Sequence, residues 1–139
     1  MIGFSTRELR RLALVCLTLG VAACGSDTAP TETPDPVAVT ETFSGSLGPN
    51  DAESYPFTSG RGTVSASIAT LAPDSTGTIG FSLGTWNGLS CAVVLANDKA
   101  TQGSSILGSV NGTGSLCVRV YDVGTITETV TYDVRVIHY

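Results

Sequence analysis

Gly114-Ser115-Leu116-Cys117-Val118-Arg119-Val120-Tyr121 alternates residue types along its length, and Tyr132-Asp133-Val134-Arg135-Val136-Ile137 does so again after a turn. In the first run Leu116, Val118 and Val120 share one face; in the second, Tyr132, Val134 and Val136 do. Successive side chains of a strand point to opposite faces, so period-two alternation marks a strand with one buried side. The same reading extends backwards. Val64, Ala66 and Ile68 alternate with Thr63, Ser65 and Ser67, and Ile79, Phe81 and Leu83 alternate with Gly80, Ser82 and Gly84. Cys91 to Ala96 is continuously apolar, which predicts a central strand covered on both sides.

Turn chemistry punctuates these runs. Asn87-Gly88 and Asn111-Gly112 are hairpin dipeptides, and Gly48-Pro49-Asn50, Pro73-Asp74 and Asp122-Val123-Gly124 are further breaks. About eight strands result: 39–47, 53–59, 62–71, 78–86, 90–96, 105–110, 115–121 and 129–138. No stretch after residue 40 carries helical periodicity. Short strands at this spacing predict an all-β fold, a single antiparallel sandwich over 41–139. Pro56 lacks an amide hydrogen and so predicts an edge or a bulge in the second strand.

The N-terminus reads differently. Arg7, Arg10 and Arg11 precede the apolar run Leu12–Val21, and Ala22-Ala23-Cys24 follows it. This is the layout of a secretory leader, too short for a membrane span. Val21-Ala22-Ala23-Cys24 resembles the lipobox of bacterial lipoproteins. That resemblance implies cleavage before Cys24, acylation of its thiol and attachment to a lipid bilayer. Several acyl chains give stable anchoring where one does not. Gly25, where an aspartate is associated with inner-membrane retention, favours the outer membrane in a bacterium that has one. Residues 24–40 are rich in Thr, Pro and acids, which predicts a flexible tether after the 1–23 leader.

The chain has 7 basic and 12 acidic residues; a chain starting at Cys24 keeps 4 and 11, net −7. Arg61, Lys99, Arg119 and Arg135 are scattered, so no basic patch exists to hold a nucleic acid. Cys16 falls in the leader and Cys24 takes lipid, leaving Cys91 and Cys117 to pair in an oxidising envelope. Their bridge would join neighbouring strands or tie the two sheets together, and contribute about 3–4 kcal/mol.

Phe43-Ser44-Gly45-Ser46-Leu47, then Asp51-Ala52-Glu53-Ser54-Tyr55-Pro56-Phe57, and finally Tyr132-Asp133-Val134-Arg135-Val136 resemble the bacterial pre-peptidase C-terminal domain. The resemblance implies a jelly-roll-like sandwich, found beside exported enzymes, with collagen- or calcium-binding relatives. This chain departs from the family in Cys91, Cys117 and Leu116, and in carrying no catalytic domain.

Candidate chemistry is sparse. Gly80-Phe81-Ser82-Leu83-Gly84 matches a nucleophile elbow but lies in an alternating strand, where the required strand-to-helix turn is missing. His138 is the one histidine of the chain and reads as a solvated strand end. Asn50, Asp51 and Glu53, with Glu41, offer hard oxygen ligands of the kind Ca²⁺ takes; Asn97-Asp98 and Asp122 are weaker candidates. No other cofactor is suggested. Trp86 and Tyr121 are aromatics that could stack on sugar or anchor a protein. Asn111-Gly112-Thr113 reads as a turn. The expectation is a non-catalytic module at the cell envelope with a protein or polysaccharide ligand. A structural or surface-assembly role is the second reading, and a small secreted enzyme the third.

Overall fold

A computed structural model describes residues 34–74 and 76–139. The leader, Cys24 and the first part of the tether lie outside the described residues. Residues 35–139 form one compact unit.

Eight strands follow in order: β1 Val39–Leu47, β2 Ala52–Ser59, β3 Gly62–Ala72, β4 Ile79–Trp86, β5 Cys91–Ala100, β6 Ser105–Val110, β7 Gly114–Tyr121 and β8 Val130–His138. They make two four-stranded sheets, β1-β8-β3-β6 and β2-β7-β4-β5, with every pairing antiparallel. This is the strand order of a jelly roll. β1 begins two residues before the 41 boundary, so Val39 and Thr40 already belong to the sheet.

The alternating sets do what their period requires. Val64, Ala66 and Ile68 of β3, and Tyr132, Val134 and Val136 of β8, face Phe81 and Leu83 of β4 and Val118 and Val120 of β7 across one dry layer. Among the described residues, all the buried hydrophobic side chains lie between Leu47 and Val136, so a chain beginning at Gly25 keeps this core. Pro56 does sit on an edge strand, because β2 pairs only with β7. Asn50 turns β1 into β2 with φ at 60°, a left-handed conformation asparagine tolerates.

The expectation for Cys91–Ala96 is overturned. β5 is an edge strand, bonded to β4 alone, and Val93, Val94 and Leu95 are exposed. β4 is the strand covered on both faces: Ile79 through Gly84 are all buried. Gly80 lies under the ring of Tyr121, and Gly84 lies under the backbone of Ala92 and Val93. Without a β-carbon at either position, other chain segments close over the strand where water would otherwise be.

His138 is a second correction. It continues the inward face of Tyr132, Val134 and Val136 and is only 4% exposed. Its Nε2 lies 2.9 Å from Glu41 Oε1. Its ring packs 5.2 Å from Phe57.

Candidate functional site

The outer face of the β2-β7-β4 part of one sheet collects the chain's most informative surface residues. Register sets Cys117, Arg119 and Tyr121 of β7 opposite Gly84, Ser82 and Gly80 of β4, and opposite Pro56, Ser54 and Ala52 of β2. Alternation along β4 carries Trp86 to the same face. The floor is therefore small residues and the relief above it is Trp86, Arg119 and Tyr121. The Arg119 guanidinium lies 5.5 Å from the Tyr121 ring centre, a cation–π contact. The Tyr121 hydroxyl donates to Asp98 at the end of β5. Burial, then the Asp98 carboxylate, pushes that phenol up to about 12. Beside Trp86 the β4–β5 hairpin opens a depression of about 260 Å³, with Ser54, Leu89, Cys91 and Arg119 in its walls. Leu89 is 91% exposed there.

A disulfide holds this face. Cys91 and Cys117 are bonded, with α-carbons 5.7 Å apart. Neither geometry considered for it applies: it joins neither neighbouring strands nor the two sheets. It links β5 and β7, which flank β4 in the same sheet. The bridge reaches over β4 because Gly84 lets the start of β5 ride across it. Trp86 and Tyr121, read separately in the sequence, thus share a rigid surface. Arg119 was not singled out, although its place between Cys117 and Tyr121 in an alternating run was the available signal.

The oxygen-rich candidates do not form one ligand set. Glu53 turns inward, where the hydroxyls of Tyr55 and Tyr132 donate to its Oε2 at 2.5 and 2.8 Å. Gly45 makes room for all three polar groups. Burial first, and then these hydrogen bonds and the carboxylate, raise both phenols above the ordinary tyrosine value. Asp51 Oδ1 accepts the Ala52 amide. Glu41 is taken by His138. Asp122 is a turn builder: Oδ1 accepts the amides of Gly124, Thr125 and Ile126, and Oδ2 accepts that of Asn50. Asn97 Oδ1 accepts the Lys99 amide. Among the described residues no group of three or more His, Cys, Asp or Glu is placed to hold a metal ion.

These bonds have a pH consequence. The Asn50 amide, followed by those of Ile126, Gly124 and Thr125, holds Asp122 below its usual value. Hydroxyls of Ser44 and Thr70 do the same for Asp133. A carboxylate depressed in the folded state stabilises above its unfolded value, about 3.9, and that contribution is lost as pH falls through the folded one. Stability should therefore drop as the pH falls below about 4. Asp122→Asn should flatten that slope in thermal melts taken across the range; an unchanged slope would remove Asp122 from the account.

Ser82 of the elbow-like motif is fully buried in the middle of β4, its hydroxyl 3.4 Å from the Arg119 carbonyl. It lies on the outer face of one sheet, and His138 lies on the inner face of the other.

The fold and this face describe a β-sandwich with an aromatic and arginine surface. No family model matches the chain. No curated protein matches it either. Among solved structures it is similar to Aeromonas hydrophila PliG, a periplasmic lysozyme inhibitor of g-type lysozyme. The TM-score is 0.51 and the identity 17%, over 71% of this chain and 85% of that one. At that identity the likeness is one of fold.

Proposed function

We propose that this chain is an exported bacterial lipoprotein whose sandwich is a non-catalytic, protein-binding module of the cell envelope. Residues 1–23 are the leader, Cys24 bears the lipid, and residues up to 38 tether the domain, with the outer membrane favoured where there is one. The observation that carries the binding reading is the gathering of Trp86, Arg119 and Tyr121 on one disulfide-braced face. Trp, Tyr and Arg are the residues that dominate protein interfaces, because each removes a large surface from water while keeping a directed polar group. The fold of PliG, a protein that inhibits another protein, is a precedent for this use of a sandwich. Glycan stacking would use the aromatics alone, whereas Arg119 between them favours a protein with an acceptor group at its centre.

Binding is tested with the chain from Gly25, immobilised and exposed first to a g-type lysozyme and then to fractionated envelope proteins. Trp86→Ala and Arg119→Ala should each weaken the captured complex at least about tenfold. A complex indifferent to both substitutions, or retention on glycans alone, would overturn the assignment. Intact mass of the membrane-extracted protein tests the address: a start at Cys24 with added acyl mass is expected, and a start at Met1 refutes it.

A further inference from the structure

The face that carries Trp86 and Tyr121 also holds a cation without a counter-charge. Among the described residues the one ion pair joins His138 to Glu41, so the Arg119 guanidinium pairs with no carboxylate. This is unusual company for a lone arginine, because residues 34–139 hold nine acids and four bases, net −5. The acids of the neighbouring strands and loops are each engaged elsewhere. Asp51 Oδ1 accepts the Ala52 amide. Glu53 Oε2 takes the hydroxyls of Tyr55 and Tyr132. Asp98 takes the hydroxyl of Tyr121, and Asp122 takes four backbone amides. None of them lines the depression beside Trp86, where Arg119 is the single charged wall residue. The hairpin wall is locked: Asn87 Oδ1 accepts the amides of Leu89 and Ser90 at 2.9 and 2.8 Å. Asn87 Nδ2 donates to Ser90 Oγ at 3.1 Å, which leaves the Ser90 hydroxyl hydrogen free to donate. Ser54 adds a second hydroxyl to the walls. The Tyr121 ring beside the guanidinium holds its plane in place.

We infer that this depression takes the carboxylate of an aspartate or glutamate from the partner protein, with Arg119 as its counter-ion and Ser54 and Ser90 as further donors. The inference rests on the protein-binding reading of this face and adds the chemistry that the face selects. Charge complementarity carries it. A planar guanidinium meets a carboxylate in a two-bond fork, which a compact ammonium cannot reproduce. Trp86 and Leu89 keep water from the donors once the depression is filled, and that strengthens a charge-assisted bond. Size points to one inserted side chain. The depression measures about 260 Å³, below the roughly 300–1,000 Å³ of sites that enclose a free small molecule. Selectivity follows from the surroundings. An acidic domain repels acidic partners over most of its surface, so an uncompensated arginine fixes where such a partner can dock.

Two-dimensional NMR of the isotope-labelled chain from Gly25, titrated with the peptide acetyl-Ala-Leu-Glu-Leu-Ala-amide, tests this. Shifts should appear at the Trp86 indole N–H and the Arg119 Nε–H, with a Kd of about 1 mM for a single filled depression. The peptide with glutamine in place of its glutamate should bind at least about tenfold more weakly, because a hydrogen bond to a charged group is lost. Salt should weaken the glutamate peptide and leave the glutamine peptide unchanged. Arg119→Lys should retain part of the preference and Arg119→Gln none of it. The peptide pair needs only the wild type, so it decides the matter even if a variant folds poorly. Equal binding of the two peptides, or no shift with either, overturns the inference. Shifts as large with glucuronate would move the depression to anionic glycans and overturn it too. A captured envelope complex weakened by Trp86→Ala but indifferent to Arg119→Gln would remove the carboxylate and leave the protein-binding reading standing.

Discussion

Opening the Cys91–Cys117 bridge should lower the stability of the domain by about 3.5 kcal/mol, the entropy a loop of this length regains when the unfolded chain is released. The separation is 26 residues, long enough for that term to be substantial. A domain of this size has about 5–15 kcal/mol in all, so a quarter or more of its stability rests on one bond. The cleanest variant is Cys91→Ser with Cys117→Ala. Cys117 is fully buried, so a serine hydroxyl there would add an unrelated cost, whereas Cys91 is only partly covered. Urea unfolding of the chain from Gly25 should show a lower midpoint and a slope at least as steep, since the unlinked chain exposes more surface. The loss should also be uneven. Amide exchange should accelerate first at Ala92 to Leu95, the part of β5 that the bridge holds across β4. A midpoint shift equivalent to under about 0.5 kcal/mol would mean that the bridge merely decorates a sheet that holds itself.

The sequence was legible wherever one face of a strand meets the core and the other meets water. Tyr132-Val134-Val136 and Leu116-Val118-Val120 are such strands, and all eight strands lie where period and turn residues put them, β5 running on to Ala100. It misled where that premise fails. Cys91–Ala96 has the composition of a buried strand and lies on an edge, because apolar content cannot tell a core from an uncovered surface. β4 shows the converse. Gly80, Ser82 and Gly84 look like a solvent face, yet all three are buried, Gly80 under the ring of Tyr121 from β7 and Gly84 under the backbone of the next strand, β5. His138 continues the inward period of its strand, and that position, not the polarity of its ring, decides its burial. For Glu53 the local loop suggested a solvated ligand, while its partners Tyr55 and Tyr132 are brought to it by strand pairing. The candidate face was half visible: Trp86 and Tyr121 stand out as aromatics, but their shared side follows only from the register of β4 on β7.

That register makes Gly84 the position where a single methyl should do most damage. Its backbone lies in an ordinary strand, so alanine would be the better residue on conformational grounds, by about 0.5–1 kcal/mol. Space decides against it. A β-carbon there would overlap the Ala92 carbonyl oxygen and sit 2.8 Å from its carbon and 3.0 Å from the Val93 α-carbon. These are backbone atoms and cannot rotate aside. β5 has to lift, and the Cys91–Cys117 bond resists the lifting. Gly84→Ala should therefore cost about 3 kcal/mol, at the upper end of overpacking. Gly114→Ala in β7, with nothing within 4 Å of the added carbon, should keep the conformational gain of about 0.5–1 kcal/mol and serves as the control. The mechanism further requires coupling. With the bridge removed, β5 can yield, so Gly84→Ala should cost at least about 1 kcal/mol less in the Cys91→Ser, Cys117→Ala background than in the wild type. Strict additivity across that double-mutant cycle would mean that the methyl and the disulfide act on separate parts of the sheet. The crossing of β5 over Gly84 would then not be what the bond secures.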